Sequence, residues 1–203
     1  MIPTAPPRRA ERSRRTKETA VTVALSLDGS GTAAAHSGLP FFDHMLEQLG
    51  RHGGMDLHVE ANGDLHVDAH HTVEDVGIVL GGALAEALGD KAGIARFASL
   101  ALPLDEALVQ VALDVSGRPY LAYDLGADLG PALGQPPFAP QLAEEFWRAL
   151  VTAAGLTLHV RALAGVNGHH VLEASFKAVA RCLRAAVTVT GTAVPSTKGT
   201  LSS

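Results

Sequence analysis

The amino-acid sequence predicts an α+β fold made by internal duplication, two similar half-domains whose helices pack against small mixed β-sheets. Three observations carry this. Blocks of sequence recur in the same order at near-constant spacing. Segments with strand character are followed by segments with helical periodicity, twice over. The chain has 203 residues, 47 % hydrophobic and 18 % charged, which is globular in composition and long enough to bury a core.

The repeat organises everything else. Glu18-Thr-Ala-Val-Thr-Val-Ala-Leu25 matches Glu106-Ala-Leu-Val-Gln-Val-Ala-Leu113, 88 residues on. Residues 44–59 match 145–160 at an offset of 101, anchored by Asp56-Leu-His-Val59 against Thr157-Leu-His-Val160. His70-His-Thr-Val-Glu74 matches His169-His-Val-Leu-Glu173 at an offset of 99. The step from 88 to 101 places a 13-residue insertion in the second half, within the Gly/Pro-rich stretch 123–137, which reads as a loop.

Each half then has one plan. A first strand is expected over 20–27 and 108–115, rich in β-branched and apolar residues. A helix follows over 41–49 and 141–153, and a second strand over 55–61 and 156–163. A longer helix starts at each double histidine, over 72–88 and 169–187, with Val76, Val79, Leu80, Ala83, Leu84 and Ala87 at helical spacing. Gly89 is placed to end the first of these. The first half adds a strand over 64–69. Residues 1–14 read as a mobile basic tail. Residues 15–203 read as one domain of two repeats, about 15–95 and 96–190, with a C-terminal tail beyond them.

Composition excludes several classes. A net charge of -5 offers no basic face, so nucleic acid is not an expected partner. No apolar run approaches the roughly 20 residues of a membrane span. The N-terminal segment lacks the apolar centre of a signal peptide, so a cytoplasmic protein is expected. Cys182 is the single cysteine and lies in a helical apolar pattern, where it reads as a small buried hydrophobe.

The histidines carry the chemistry. On a helix, residues three and four apart share a face, so Glu74 can share a metal with His70 or His71, and Glu173 with His169 or His170. Adjacent histidines point roughly 100° apart, so each pair suits two ions better than one. Two copies at equivalent places of a duplication make a solvated helix start an insufficient explanation. His44 opens an amphipathic helix, and its repeat mate is Glu145, another ligand type. This nitrogen and oxygen set suits Mn, Fe or Zn in six-fold coordination, and the lack of thiolates argues against a structural zinc. His52, about two turns beyond His44, is placed to border the site. His58 and His159 are equivalent strand positions and read as structural, and His36 and His66 as surface or structural. Arg96, Arg118, Ser196 and Lys198 have the chemistry of a phosphate site, although position alone would make them surface charge.

Together these stretches resemble the imidazoleglycerol-phosphate dehydratase family. They are Arg-Thr-Lys-Glu18-Thr, Leu-Pro-Phe-Phe-Asp-His44-Met-Leu, Ala-His70-His-Thr-Val-Glu74-Asp, Ala-Leu-Gly-Asp-Lys-Ala-Gly-Ile-Ala-Arg96-Phe, Pro-Leu-Asp105-Glu, Ser-Gly-Arg118-Pro-Tyr, His169-His170-Val-Leu-Glu173-Ala and Pro-Ser196-Thr-Lys198-Gly. The resemblance implies a ribosomal protein S5 domain 2-like duplicated fold. It also implies a lyase of histidine biosynthesis that converts D-erythro-imidazoleglycerol phosphate to imidazole-acetol phosphate and water. It implies two Mn(II) ions per active site, and a homo-oligomer of 24 chains with sites between subunits. By position, the implied metal ligands are His44, His70, His71, Glu74, Glu145, His169, His170 and Glu173. The implied substrate contacts are Glu18, Gln48, His52, Arg96, Arg118, Ser196 and Lys198. Glu18, Glu74, Glu173 and His71 are expected at the catalytic centre. Many family members have His where this chain has Glu145. The expected mechanism uses the ions as Lewis acids that hold the imidazole as imidazolate. The ring then expels the neighbouring hydroxyl, and Glu18 or a metal-bound water handles the proton. The ligand set alone would also serve a metal store or a metal-dependent hydrolase.

Overall fold

The structure, a computed structural model, describes residues 7–126 and 128–201. It contains two copies of one unit. In the first, strands β1 (Arg9–Arg15), β2 (Thr19–Ser26), β3 (Ala33–His36) and β4 (Asp56–Gly63) accompany helices α1 (Pro40–Gly53) and α2 (His70–Leu88). In the second, β5 (Phe97–Leu104), β6 (Ala107–Asp114), β7 (Tyr120–Asp124) and β8 (Thr157–Ala164) accompany α3 (Leu142–Ala154) and α4 (Gly168–Ala186). The sheets have the same order, β1-β2-β4-β3 and β5-β6-β8-β7. In each, only the last pair is parallel, and that pair is joined through the shorter helix.

Alternation decides which face each sheet buries. Val21, Val23 and Leu25 of β2 point inward beside Leu57 and Val59 of β4. Val109, Val111 and Leu113 of β6 do the same beside Leu158 and Val160 of β8. The helices cover those inner faces, and the halves meet helix to helix, α1 on α4 and α2 on α3. At the second contact a Cβ on Gly77 would stand 2.7 Å from the Phe146 carbonyl oxygen, and one on Gly81 2.5 Å from that of Leu150. The two glycines let the helix backbones touch. Because Gly77 meets Phe146 while Gly81 meets Leu150, the two helices run parallel and their N-terminal ends lie together.

Several expectations need correction. The segment expected as a tail forms β1 over Arg9–Arg15, hydrogen-bonded along β2, and residues 1–6 lie outside the described residues. With only Ala10 buried, this edge strand has no alternation to reveal it. The strand expected over 64–69 is a turn, closed by the Val67 and Asp68 amides donating to the Asp64 carbonyl. Strands β3, β5 and β7 were not expected. The insertion begins after β7 and is not only a surface loop. The Leu129 carbonyl presses on Gly168 at the start of α4, and Phe138, just past the 123–137 stretch, is fully buried against Phe41 and Phe42. Cys182 is buried, as its pattern predicts.

The C-terminal segment folds back over the loop that follows α2. Gly93 donates to the Ala193 carbonyl and accepts from Thr190 and Gly191, Ile94 bridges Val189, and Lys91 Nζ donates to the Leu201 carbonyl. Among the described residues no helix is long and apolar enough to cross a membrane.

Candidate active site

Helix N-termini carry most of the ligand-type side chains. Parallel packing brings the start of α1 to the start of α4, and with it His44 to Glu173. Glu173 Oε2 lies 3.0 Å from His169 Nε2 and 3.6 Å from His44 Nε2. Its other oxygen accepts from Lys177 Nζ at 2.7 Å. Burial raises the Glu173 pKa, but Lys177 and His169 outweigh it, so the carboxyl lies below its ordinary range. The ligand atoms of His44, His169 and Glu173 all lie within 4.8 Å of one another. Two imidazole nitrogens and a carboxylate oxygen facing one point fit a divalent cation of the Mn, Fe or Zn type. Phe41 walls this point, its ring centroid 5.3 Å from that of His169 in an edge-to-face contact.

The second histidine of each pair faces elsewhere, with ring planes crossed at 86° in both pairs. His71 Nδ1 lies 3.1 Å from Asp64 Oδ2 and 3.9 Å from Glu18 Oε2, and these three form the other ligand-type group among the described residues. The Asp64 hydrogen bond raises the His71 pKa. His170 Nδ1 lies 2.7 Å from Glu106 Oε2, and Asp105 stands 3.7 Å from its Nε2. The hydrogen bond to Glu106 raises the His170 pKa. The Glu106 carboxylate also accepts from the Asn167 and Val166 amides, and these contacts hold its pKa to about 2.

His70 Nε2 lies 3.9 Å from Glu74 Oε2, looser than its counterpart in α4. Glu145 does not join a three-ligand group. It faces Arg148 instead, Oε2 to Nε 3.9 Å. At the repeat position where α1 carries the imidazole of His44, α3 carries the carboxylate of Glu145. On α1 the Gln48 amide spans His44 Nδ1 at 3.4 Å and His52 Nε2 at 3.0 Å. Burial, then Lys177 and Arg181, lowers the His52 pKa.

The cationic residues gather in a separate cleft lined by Arg96, Arg118, Pro195, Ser196, Thr197 and Lys198. Arg96 grips Asp114 with two nitrogens, at 2.8 and 3.1 Å, and donates to the Pro195 carbonyl at 2.7 Å. It therefore fastens the C-terminal segment to β6. Arg118 lies exposed beside Asp114, and the Ser196 hydroxyl accepts the Lys198 amide. The duplication repeats the clamp, beside a cleft that Arg8, Asp28 and Arg184 line in place of Arg96, Arg118 and Lys198. Arg8, the mate of Arg96, grips Asp28 and the Val187 carbonyl.

With this geometry, the family model for imidazoleglycerol-phosphate dehydratase matches residues 37–183. A protein of that description from Dinoroseobacter shibae is 54 % identical over 197 residues, 96 % of this chain and 100 % of its own length. The chain belongs to the imidazoleglycerol-phosphate dehydratase family. That is a family of lyases. A chloroplastic relative from Arabidopsis thaliana is 51 % identical over 195 residues, 95 % of this chain and 71 % of its own length. A solved IGPD structure from Pyrococcus furiosus superimposes with a TM-score of 0.79 at 36 % identity, covering 94 % of this chain and 100 % of its own. The dehydratase from Staphylococcus aureus gives 0.78 at 37 %, covering 89 % and 98 %.

Four residues of this family member escaped the sequence reading as site residues: Asp64, Glu106, Asp114 and Lys177. Lys177 stands four residues beyond Glu173, a spacing that signals a shared helix face. Glu106 is the repeat mate of Glu18, a signal that was available. Asp64 and Asp114 meet their partners only through the fold.

Proposed function

We propose that this chain dehydrates D-erythro-imidazoleglycerol phosphate to imidazole-acetol phosphate and water, in histidine biosynthesis. One observation supports this most strongly: His44, His169 and Glu173 converge within one protein of this family, fully assembled from two halves of the duplication. The donor set fits two Mn(II) ions per site, drawn from His44, His70, His71, Glu74, Glu145, His169, His170 and Glu173. When bound, the ions supply Lewis acidity toward the imidazole nitrogens and favour the imidazolate form.

The chain's own residues do the rest. Arg118 and Lys198 hold the phosphate, with Ser196 donating its hydroxyl and Arg96 keeping the segment in place. The C–O bond beside the ring breaks and a proton leaves the next carbon, so an enol forms and becomes the ketone. Glu18 handles the proton. Its carboxylate is 56 % exposed and, among the described residues, its one ion pair is the 3.9 Å approach to His71, so it is free to reach substrate, unlike the pinned Glu106. His71 and His170 turn away from the His44 group, an arrangement that suits sites completed between subunits. The family's 24-chain assembly is our reading for the oligomer.

The test incubates Mn-loaded, assembled protein with imidazoleglycerol phosphate and follows formation of the ketone. Absence of product from folded, metal-bound protein overturns the proposal.

A further inference from the structure

The two halves solve one geometric problem with different residues. In the first, His71 Nδ1 faces Asp64, which comes from the turn before α2 and is only 15 % exposed. In the second, His170 Nδ1 faces Glu106, which comes from the β5–β6 turn and is pinned by the Asn167 and Val166 amides. These carboxylates are not repeat mates. The mate of Glu106 is Glu18, which stands 3.9 Å from His71 and beyond hydrogen-bond reach. A duplication that merely preserved ancestral contacts would use equivalent residues. Here the carboxylate-to-Nδ1 contact is preserved while its source has changed, so the contact itself is what both halves retain.

The consequence is chemical. An ionised carboxylate only accepts hydrogen bonds, so each Nδ1 facing one carries the hydrogen. The neutral imidazole then has its lone pair on Nε2. Replacing Glu18 in this duty by Asp64 also leaves Glu18 unencumbered.

We propose that Asp64 and Glu106 are positioning residues, which fix Nε2 of His71 and of His170 as the atom each imidazole offers to a divalent cation. This rests on the metal reading above. Carboxylates behind metal-bound imidazoles orient the ring and raise its basicity, and their removal weakens metal binding about 10–100-fold.

The test uses assembled, metal-stripped protein titrated with Mn(II), with free ion followed by electron paramagnetic resonance. Asp64→Ala and Glu106→Ala are expected to weaken Mn(II) binding about 10–100-fold. Asp64→Asn retains a carbonyl oxygen for Nδ1–H and is expected to recover most of the loss. Solid-state NMR of 15N-histidine-labelled metal-free assembly reads the tautomer. Wild type is expected to show Nδ1–H imidazoles that shift toward Nε2–H in the alanine variants and stay in Asp64→Asn. A variant whose Mn(II) affinity and tautomer match wild type overturns the inference, as does an affinity loss without tautomer change. Because Glu106 also holds two amides of the loop before α4, the Asp64 pair decides the matter if Glu106→Ala fails to fold. His71→Ala and His170→Ala separate the two levels. If they leave Mn(II) binding intact, the metal reading fails. If they weaken it while Asp64→Ala does not, only this inference fails.

Discussion

Lys177 holds Glu173: its Nζ lies 2.7 Å from Glu173 Oε1, which leaves Oε2 to His169 and His44. Both side chains are largely buried, at 18 % and 12 % exposed. Glu173→Ala therefore strands a cation among packed helices. A stability loss of about 1–3 kcal/mol is expected, reduced from a fully buried pair by residual solvent. Thermal denaturation measures it, and Mn(II) binding is expected to fall in the same variant. Unchanged stability would mean that Lys177 finds another partner at no cost.

Gly81 sets the α2–α3 distance. A Cβ there would meet the Leu150 carbonyl oxygen at 2.5 Å and Ala153 Cβ at 2.8 Å, and backbone cannot rotate away as a side chain can. Gly81→Ala is expected to destabilise by about 1–3 kcal/mol through overpacking, despite alanine's better helix propensity. A raised melting temperature would contradict the close contact.

Lys198 and Arg96 line one cleft but are expected to fail differently. Lys198→Ala removes a cation with little structural load. KM is expected to rise about 10–100-fold, the equivalent of about 1.5–3 kcal/mol for charged hydrogen bonds, with melting unchanged. Arg96→Ala also unclamps Asp114 and the Pro195 carbonyl, so melting is expected to fall along with affinity. Steady-state kinetics beside thermal denaturation resolve the two.

Glu18→Gln keeps size and exposure and removes the acid-base function. Turnover is expected to fall about 10²–10⁴-fold, the usual range for a positioned proton carrier. Stability is expected to stay within about 0.5 kcal/mol, as for exposed substitutions. Near wild-type turnover would remove Glu18 from the mechanism.

Cys182 is fully buried, and burial pushes its thiol pKa up to about 11. At pH 8 the thiolate is scarce and shielded. Ellman's reagent is expected to react slowly with native protein and promptly in denaturant, giving a direct readout of unfolding for the helix-packing variants.

The sequence by itself determined what repeats and periodicity can carry. The duplication, four helices, four of the strands and the i,i+4 contact of His169 with Glu173 follow from short-range geometry, because helical spacing places those side chains on one face wherever the helix sits. The polar edge strand β1 stayed hidden because backbone hydrogen bonds to β2 hold it, and those leave no side-chain pattern. The alternation at 64–69 misled because hydrogen bonds to the Asp64 carbonyl close a turn there. Only the tertiary structure decided which partner each ligand-type side chain meets. Parallel helix packing joins His44 to Glu173 across 129 positions of chain, while Glu145, lacking an imidazole's attraction for a carboxylate, turns to Arg148. Asp64 and Glu106 reach the histidines through a turn and a hairpin, and such distances are set by how elements pack and not by residue order.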